Sequence, residues 1–234
     1  MKATDTHAGW SQGSPVRTET AGSQSPLWMR IGFWGCIVVA VAAAIRRAIA
    51  LTVAPSGSAA PAQIAQLDAL FSAHAALTWA HILCALAFVL LLPFLFWTKT
   101  RGSRMLMSAF FALGFLVGAT AYAMTVSAAV GGWLERSAVL LFNTLLVVSL
   151  IQALAWSRRH NEVEKRRWML RAVAILLGIG TTRPVMGIFF ATARATHLTP
   201  HHFFGVAFWI GFSINTLAME LWLRRQGPQT EETV

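Results

Sequence analysis

Three stretches of this chain, residues 69–98, 105–134 and 137–157, contain no Asp, Glu, Lys or Arg. Each is long enough to cross a bilayer, which takes about 20 mostly apolar residues in a helix. Hydrocarbon offers backbone N–H and C=O groups no partner, so a spanning segment must be a helix or belong to a closed barrel. The alternating pattern of barrel strands is absent. Composition agrees: 56% of the 234 residues are hydrophobic and 12% charged, about half the roughly 25% charged content of a soluble domain. The expected fold is an all-α polytopic transmembrane bundle.

Six spans can be drawn, over residues 27–53, 71–97, 105–130, 133–156, 168–193 and 201–223. Between them the basic residues are sorted. Fourteen fall on one side (Lys2, Arg17, Arg30, Lys99, Arg101, Arg104 and the groups 158–171 and 224–225), and four on the other: Arg46, Arg47, Arg136 and Arg194. Lys and Arg accumulate in cytoplasmic loops, so both termini are expected in the cytoplasm of a cell-membrane protein. Trp28, Trp97, Trp156, Trp168 and Trp222 near the inner boundaries and Trp133 near an outer one fit an interfacial aromatic belt. Residues 1–26, rich in Gly, Ser and Thr, are expected to be a disordered cytoplasmic tail. No short apolar core follows a basic start, so they do not read as a signal peptide. Residues 226–234 form a second short tail, and 27–225 the membrane domain.

The net charge of +10 does not argue for nucleic acid, since charge sorted beside apolar spans already accounts for it. The only cysteines, Cys36 and Cys84, lie in apolar segments and read as small buried hydrophobes without disulfide or metal spacing. Arg46 and Arg47 interrupt the first span. They are expected to snorkel to the outer surface, the alternative being a polar outer cavity. Gly114 and Gly118 make a GxxxG pair suited to close helix packing within the bundle.

The fifth span carries the run Lys165, Arg166, Arg167, Trp168, Met169, Leu170, Arg171, followed by Arg183 within Thr181, Thr182, Arg183, Pro184. Asn215 and Glu220 follow in the last span, and His81 sits early in the second. In these features the chain resembles a multi-pass membrane family known only as domain of unknown function 2306, over about residues 70–225. The resemblance implies a membrane bundle and no particular activity. The chain departs from the family pattern where Lys165 replaces a usual His. It departs again at Lys99, Arg101 and Arg104, where the family tends to carry a His-Arg pair. His160 is a candidate substitute for the first.

Five of the seven histidines map to the outer half: His74, His81, His197, His201 and His202. His74 and His81 are seven apart and share a helix face. Histidine in a span is a functional candidate, as a metal or axial haem ligand. A haem b between His81 and His202 or His201 fits facing helices of a bundle. A zinc or copper site drawn from His74, His81, His197 and His201 fits the spacing equally. Plain interfacial histidines bonded to backbone or water are the bland alternative.

Arg183 lies about 22 Å along its span in a core about 30 Å thick, level with those histidines. Such an Arg must be paired or wet. Only Asp68 and Glu135 border that half, so the expected partners are a carbonyl freed near Gly180 by Pro184, Asn143, or an anion such as a haem propionate or substrate carboxylate. At the inner surface, Glu220 with Arg171 and Arg224 reads as a structural ion pair. The six basic residues over 158–171 suit anionic lipid headgroups.

Three functions remain in view. The leading one is a small redox protein binding haem b through His81 and His202 or His201, with Arg183 on a propionate. It would work with a membrane redox partner in electron transfer or in respiratory-complex assembly. The others are a small-anion transporter built on Arg183 and an assembly protein without its own chemistry. No nucleophile elbow or phosphate loop marks a catalytic residue.

Overall fold

The computed structural model describes residues 26–52, 62–96, 103–127 and 129–226. Within them the chain forms helices α1 (Leu27–Thr52), α2 (Ala62–Ala73), α3 (Ala75–Phe96), α4 (Arg104–Ser127), α5 (Gly132–Arg158), α6 (Glu162–Thr196) and α7 (Pro200–Arg225). All but α2 are long and apolar enough to cross a membrane, so the protein is a six-span helical bundle. The two expected tails, apart from Pro26 and Gln226, and the loop containing Trp97, Lys99 and Arg101 lie outside the described residues.

The helices form a ring. α1 packs on α3 and α6, α3 on α4, α4 on α5, and α5 on α6. α7 braces this ring from outside, against α6 and α5. α6 is the most enclosed helix and α1 the least, because α6 meets neighbours on three sides while α1 turns Trp28, Ile31, Trp34 and Val38 outward to lipid. Side-chain packing rather than a hydrophobic driving force must hold such helices together in lipid. Close approach therefore falls at small residues. A Cβ at Gly211 of α7 would collide with Thr182 of α6, and one at Gly180 would lie 2.7 Å from the Cys36 carbonyl of α1. Gly114 and Gly118 seat Leu150 and Val147 of α5 inside the bundle.

Two features depart from the sequence expectation. α2 is a separate helix of 12 residues, about 18 Å long and too short to span. It ends at a turn on His74, where the Thr78 hydroxyl donates to the carbonyls of Phe71 (3.1 Å) and His74 (3.0 Å). α6 runs 35 residues through Pro184 as one helix, starting six residues before its expected span. Asn161 caps it, its side chain accepting the Glu164 N–H at 2.9 Å, with Glu162 and Glu164 in the first turn where the helix dipole favours acids.

The end of the bundle that holds this cap is strongly basic. There Arg171 Nε donates to Glu220 Oε2 at 2.9 Å and its Nη2 to Oε1 at 3.3 Å, while Arg224 Nε reaches Oε1 at 3.3 Å. The Arg171 guanidinium also lies 4.6 Å from the Trp168 ring centroid. The core fills the same half, around Phe88, Leu92, Phe110, Leu150 and Ala172. The opposite end, where α2 and the α4–α5 turn lie, is packed less tightly around a cavity.

Candidate functional site

A cavity of about 240 Å³ lies inside the ring, lined by residues of all seven helices. Its charged groups and His81 gather at the α2 end with Thr78: Arg47 from α1, Thr78 and His81 from α3, Glu135 from α5 and Arg183 from α6, while Asn143 lies deeper along α5. Helix direction explains the convergence. α1 and α6 run toward that end and α3 and α5 run away from it, so residues late in the first pair meet residues early in the second.

The two arginines are held differently. Arg47 Nη1 donates to Asp68 Oδ1 of α2 at 2.6 Å, and its guanidinium lies 4.1 Å from the Phe71 ring centroid. Arg46 joins the same carboxylate at 3.2 Å and is half exposed, whereas the Arg47 side chain keeps 14% of its exposure. Of the pair expected to snorkel, Arg46 is exposed, while Arg47 lines the cavity. It does so because α2 brings in a carboxylate that satisfies it.

Arg183 has no such neighbour. Its Nε is fully enclosed without a hydrogen-bond acceptor, and its Nη1 lies 3.9 Å from the Met186 thioether sulfur, a weak acceptor. Among the described residues no carboxylate comes within ion-pair distance of it. Asn143, one of its expected partners, donates its amide to the Gly118 carbonyl at 2.9 Å instead and ties α5 to α4.

His81 Nδ1 lies 2.9 Å from Thr120 Oγ1. The Thr120 hydroxyl has one proton, and carbonyls of Leu116 (2.8 Å) and Val117 (3.0 Å) stand ready to accept it. Oγ1 is then the acceptor for His81 Nδ1–H, which leaves the lone pair of a neutral ring on Nε2.

Glu135, taken from the sequence as a residue at the border, is buried and lines the cavity. Its carboxylate accepts the Gly131 N–H at 2.5 Å. The turn at Gly131 and Gly132, where Gly132 has φ 61°, folds the start of α5 back so that Glu135 faces inward.

The remaining histidines do not join His81. His74, His197, His201 and His202 are exposed, and none lines the cavity. His197 takes the left-handed conformation that ends α6. His202 Nδ1 pairs with Thr199 Oγ1 at 2.9 Å, and the ring of His201 sits against Gly132. Among the described residues no three His, Cys, Asp or Glu side chains form a metal-holding group. The structure therefore does not assemble the His74, His81, His197 and His201 set. Nor do His201 and His202 line the cavity that His81 lines; the first turns of α7 pack on Gly131 and Gly132 at the start of α5.

A second polar group, absent from the sequence reading, ties α1, α6 and α7. Thr181 Oγ1 donates to Asn215 Oδ1 at 2.7 Å, and Asn215 Nδ2 approaches Cys36 Sγ at 3.8 Å. It is internally satisfied and helix-locking. The Asn215 position was visible in the family resemblance, but its partners were not.

No family model, curated protein or solved structure matches this chain.

Proposed function

We propose that this protein is a small-anion carrier of the cell membrane whose substrate docks on Arg183. The observation that carries the reading is the enclosed Arg183 guanidinium, whose Nε has no acceptor and which, among the described residues, forms no ion pair even with Glu135 of the same cavity. A buried cation without a partner is costly, and a carboxylate or phosphate offers it bidentate, charge-assisted hydrogen bonds. Arg47 does not compete for this role, since Asp68 already neutralises it. His81 and Thr78 supply further polar contacts at the same end. The sorting of Lys and Arg supports cytoplasmic termini, which puts the cavity in the outer half, and the basic end would rest on anionic headgroups. Kinship with the domain of unknown function 2306 family forms part of this proposal, carried by the run from Lys165 to Arg171 with Arg183.

The test uses purified protein in phosphatidylcholine liposomes and labelled acetate, octanoate and phosphate. Saturable uptake of at least one is expected, falling at least tenfold in Arg183→Gln. Uptake indifferent to that change overturns the carrier reading. A Soret band in the purified protein, lost in His81→Ala, would replace it with a haem b site that uses His81 as axial ligand and Arg183 on a propionate.

A further inference from the structure

The cavity is sorted by depth. Its charged groups occupy one end, and from there its walls are apolar except for Asn143, whose amide is already committed to the Gly118 carbonyl. On α3, His81 is followed into the cavity by Ile82, Leu86 and Val89; on α6, Arg183 is followed in the opposite chain direction by Ile179, Leu176 and Ile175. Both helices cover eight residues from the charged end to the floor, about 12 Å at 1.5 Å per residue. Two helices running opposite ways thus give the same depth. An inorganic anion would fill only the charged end. The volume of about 240 Å³ lies below the roughly 300–1,000 Å³ of sites for drug-sized ligands. That is room for one short chain and too little for the two chains of a phospholipid.

We infer that the ligand is a single-chain carboxylate, its head on Arg183 and its alkyl tail lying along Ile179, Leu176 and Ile175 toward the floor. The inference rests on the anion reading above and gives it a substrate class. The carboxylate fits the guanidinium as a bidentate acceptor. Glu135 on the adjoining α5 wall of the same cavity disfavours a second negative charge, so the head is a monoanion. The tail replaces contact with water by contact with Val89, Val117 and Leu146.

The experiment measures equilibrium binding of straight-chain carboxylates, from acetate to decanoate, to the full-length protein in phosphatidylcholine nanodiscs. Empty nanodiscs correct for uptake by the bilayer. Affinity relative to free aqueous ligand should rise about fourfold per added methylene until the tail meets the floor, and then level off. Arg183→Gln should weaken every member at least tenfold without changing that slope. Arg183→Lys, which keeps the charge but loses the fork, should give a smaller loss and serves where the Gln variant does not fold. Ile175→Trp, which fills the floor, should shorten the chain at which the rise stops and weaken octanoate more than acetate. Equal affinity for acetate and octanoate, still lost in Arg183→Gln, overturns the single-chain ligand and leaves the anion site standing. Chain-length dependence unaffected by Arg183→Gln overturns the anion site itself. Displacement of octanoate by phosphatidylglycerol added to the nanodisc makes a lipid headgroup the occupant and overturns the single-chain assignment.

Discussion

Arg47 of α1 and Asp68 of α2 form a 2.6 Å ion pair on the wall of the cavity that encloses Arg183. One carboxylate thereby fixes the short helix against the first span and removes one of two positive charges from the site. Which arginine is left to meet a ligand is decided by α2, a helix that does not cross the membrane.

Asp68→Asn should destabilise the protein by about 1–2 kcal/mol, between the small worth of an exposed pair and the larger cost of breaking a buried one. Arg46 is too exposed to add much, so the loss comes from Arg47. The same change adds a net positive charge beside Arg183 and should tighten anion binding. Thermal unfolding in detergent and carboxylate binding measure the two effects on one sample, and a stable variant with weaker anion binding would contradict the assignment.

Thr120→Val removes the acceptor of His81 Nδ1–H. A polar hydrogen left unpaired there costs about 1–3 kcal/mol, whereas Thr120→Ser should retain most of the stability because it keeps the hydroxyl. Equal behaviour of the two variants in thermal unfolding would mean that the 2.9 Å contact is not a hydrogen bond that matters.

Helix contact should be most sensitive where α6 and α7 touch. A Cβ at Gly211 has no room beside Thr182, and Thr182 is fully buried, so Gly211→Ala should cost about 1–3 kcal/mol through overpacking. Gly187 faces open space on the same α6, and Gly187→Ala should be neutral or stabilise by up to about 1 kcal/mol. Size-exclusion profiles after heating rank the two, and the reverse order would refute the packing described.

At the basic end, Glu220→Gln should cost about 1 kcal/mol, since Arg171 meets the carboxylate through two nitrogens but the site is partly exposed. The effect should shrink in high salt, because screening acts on exposed charges. A double-mutant cycle with Arg171→Met isolates the pair, and a coupling near zero at low salt would mark it as incidental.

The spans were legible because lipid imposes a single rule on the backbone: 20 or so apolar residues read as a helix whatever their neighbours do. α2 was not, since residues 62–73 are too short to announce themselves and their role depends on Asp68 meeting Arg47 from another helix. Arg183 was legible as an anomaly of depth; that its Nε has no acceptor among the described residues could not be read, because Asn143 turned out to serve Gly118. Glu135 was missed for a local reason. Counting along the chain put it at the border, and only the Gly131–Gly132 turn, with its close contacts to α7, carries it inward. Histidine spacing could not say which helix faces stand inside the ring, and of His74, His81, His197, His201 and His202 His81 alone lines the cavity.

The uninterrupted α6 has a geometric consequence for how the molecule floats. Its 35 residues extend about 52 Å, far beyond a hydrocarbon slab of about 30 Å, so tilt alone cannot submerge it. The surplus at its start is laced by the pairs Lys165 with Glu162 and Arg167 with Glu164, a stem made for water. Trp168 and Arg171, stacked one turn further on, mark where wet stem gives way to oily shaft. The helix thus carries its own depth gauge, and with it sets the level at which Arg183 rides below the opposite surface.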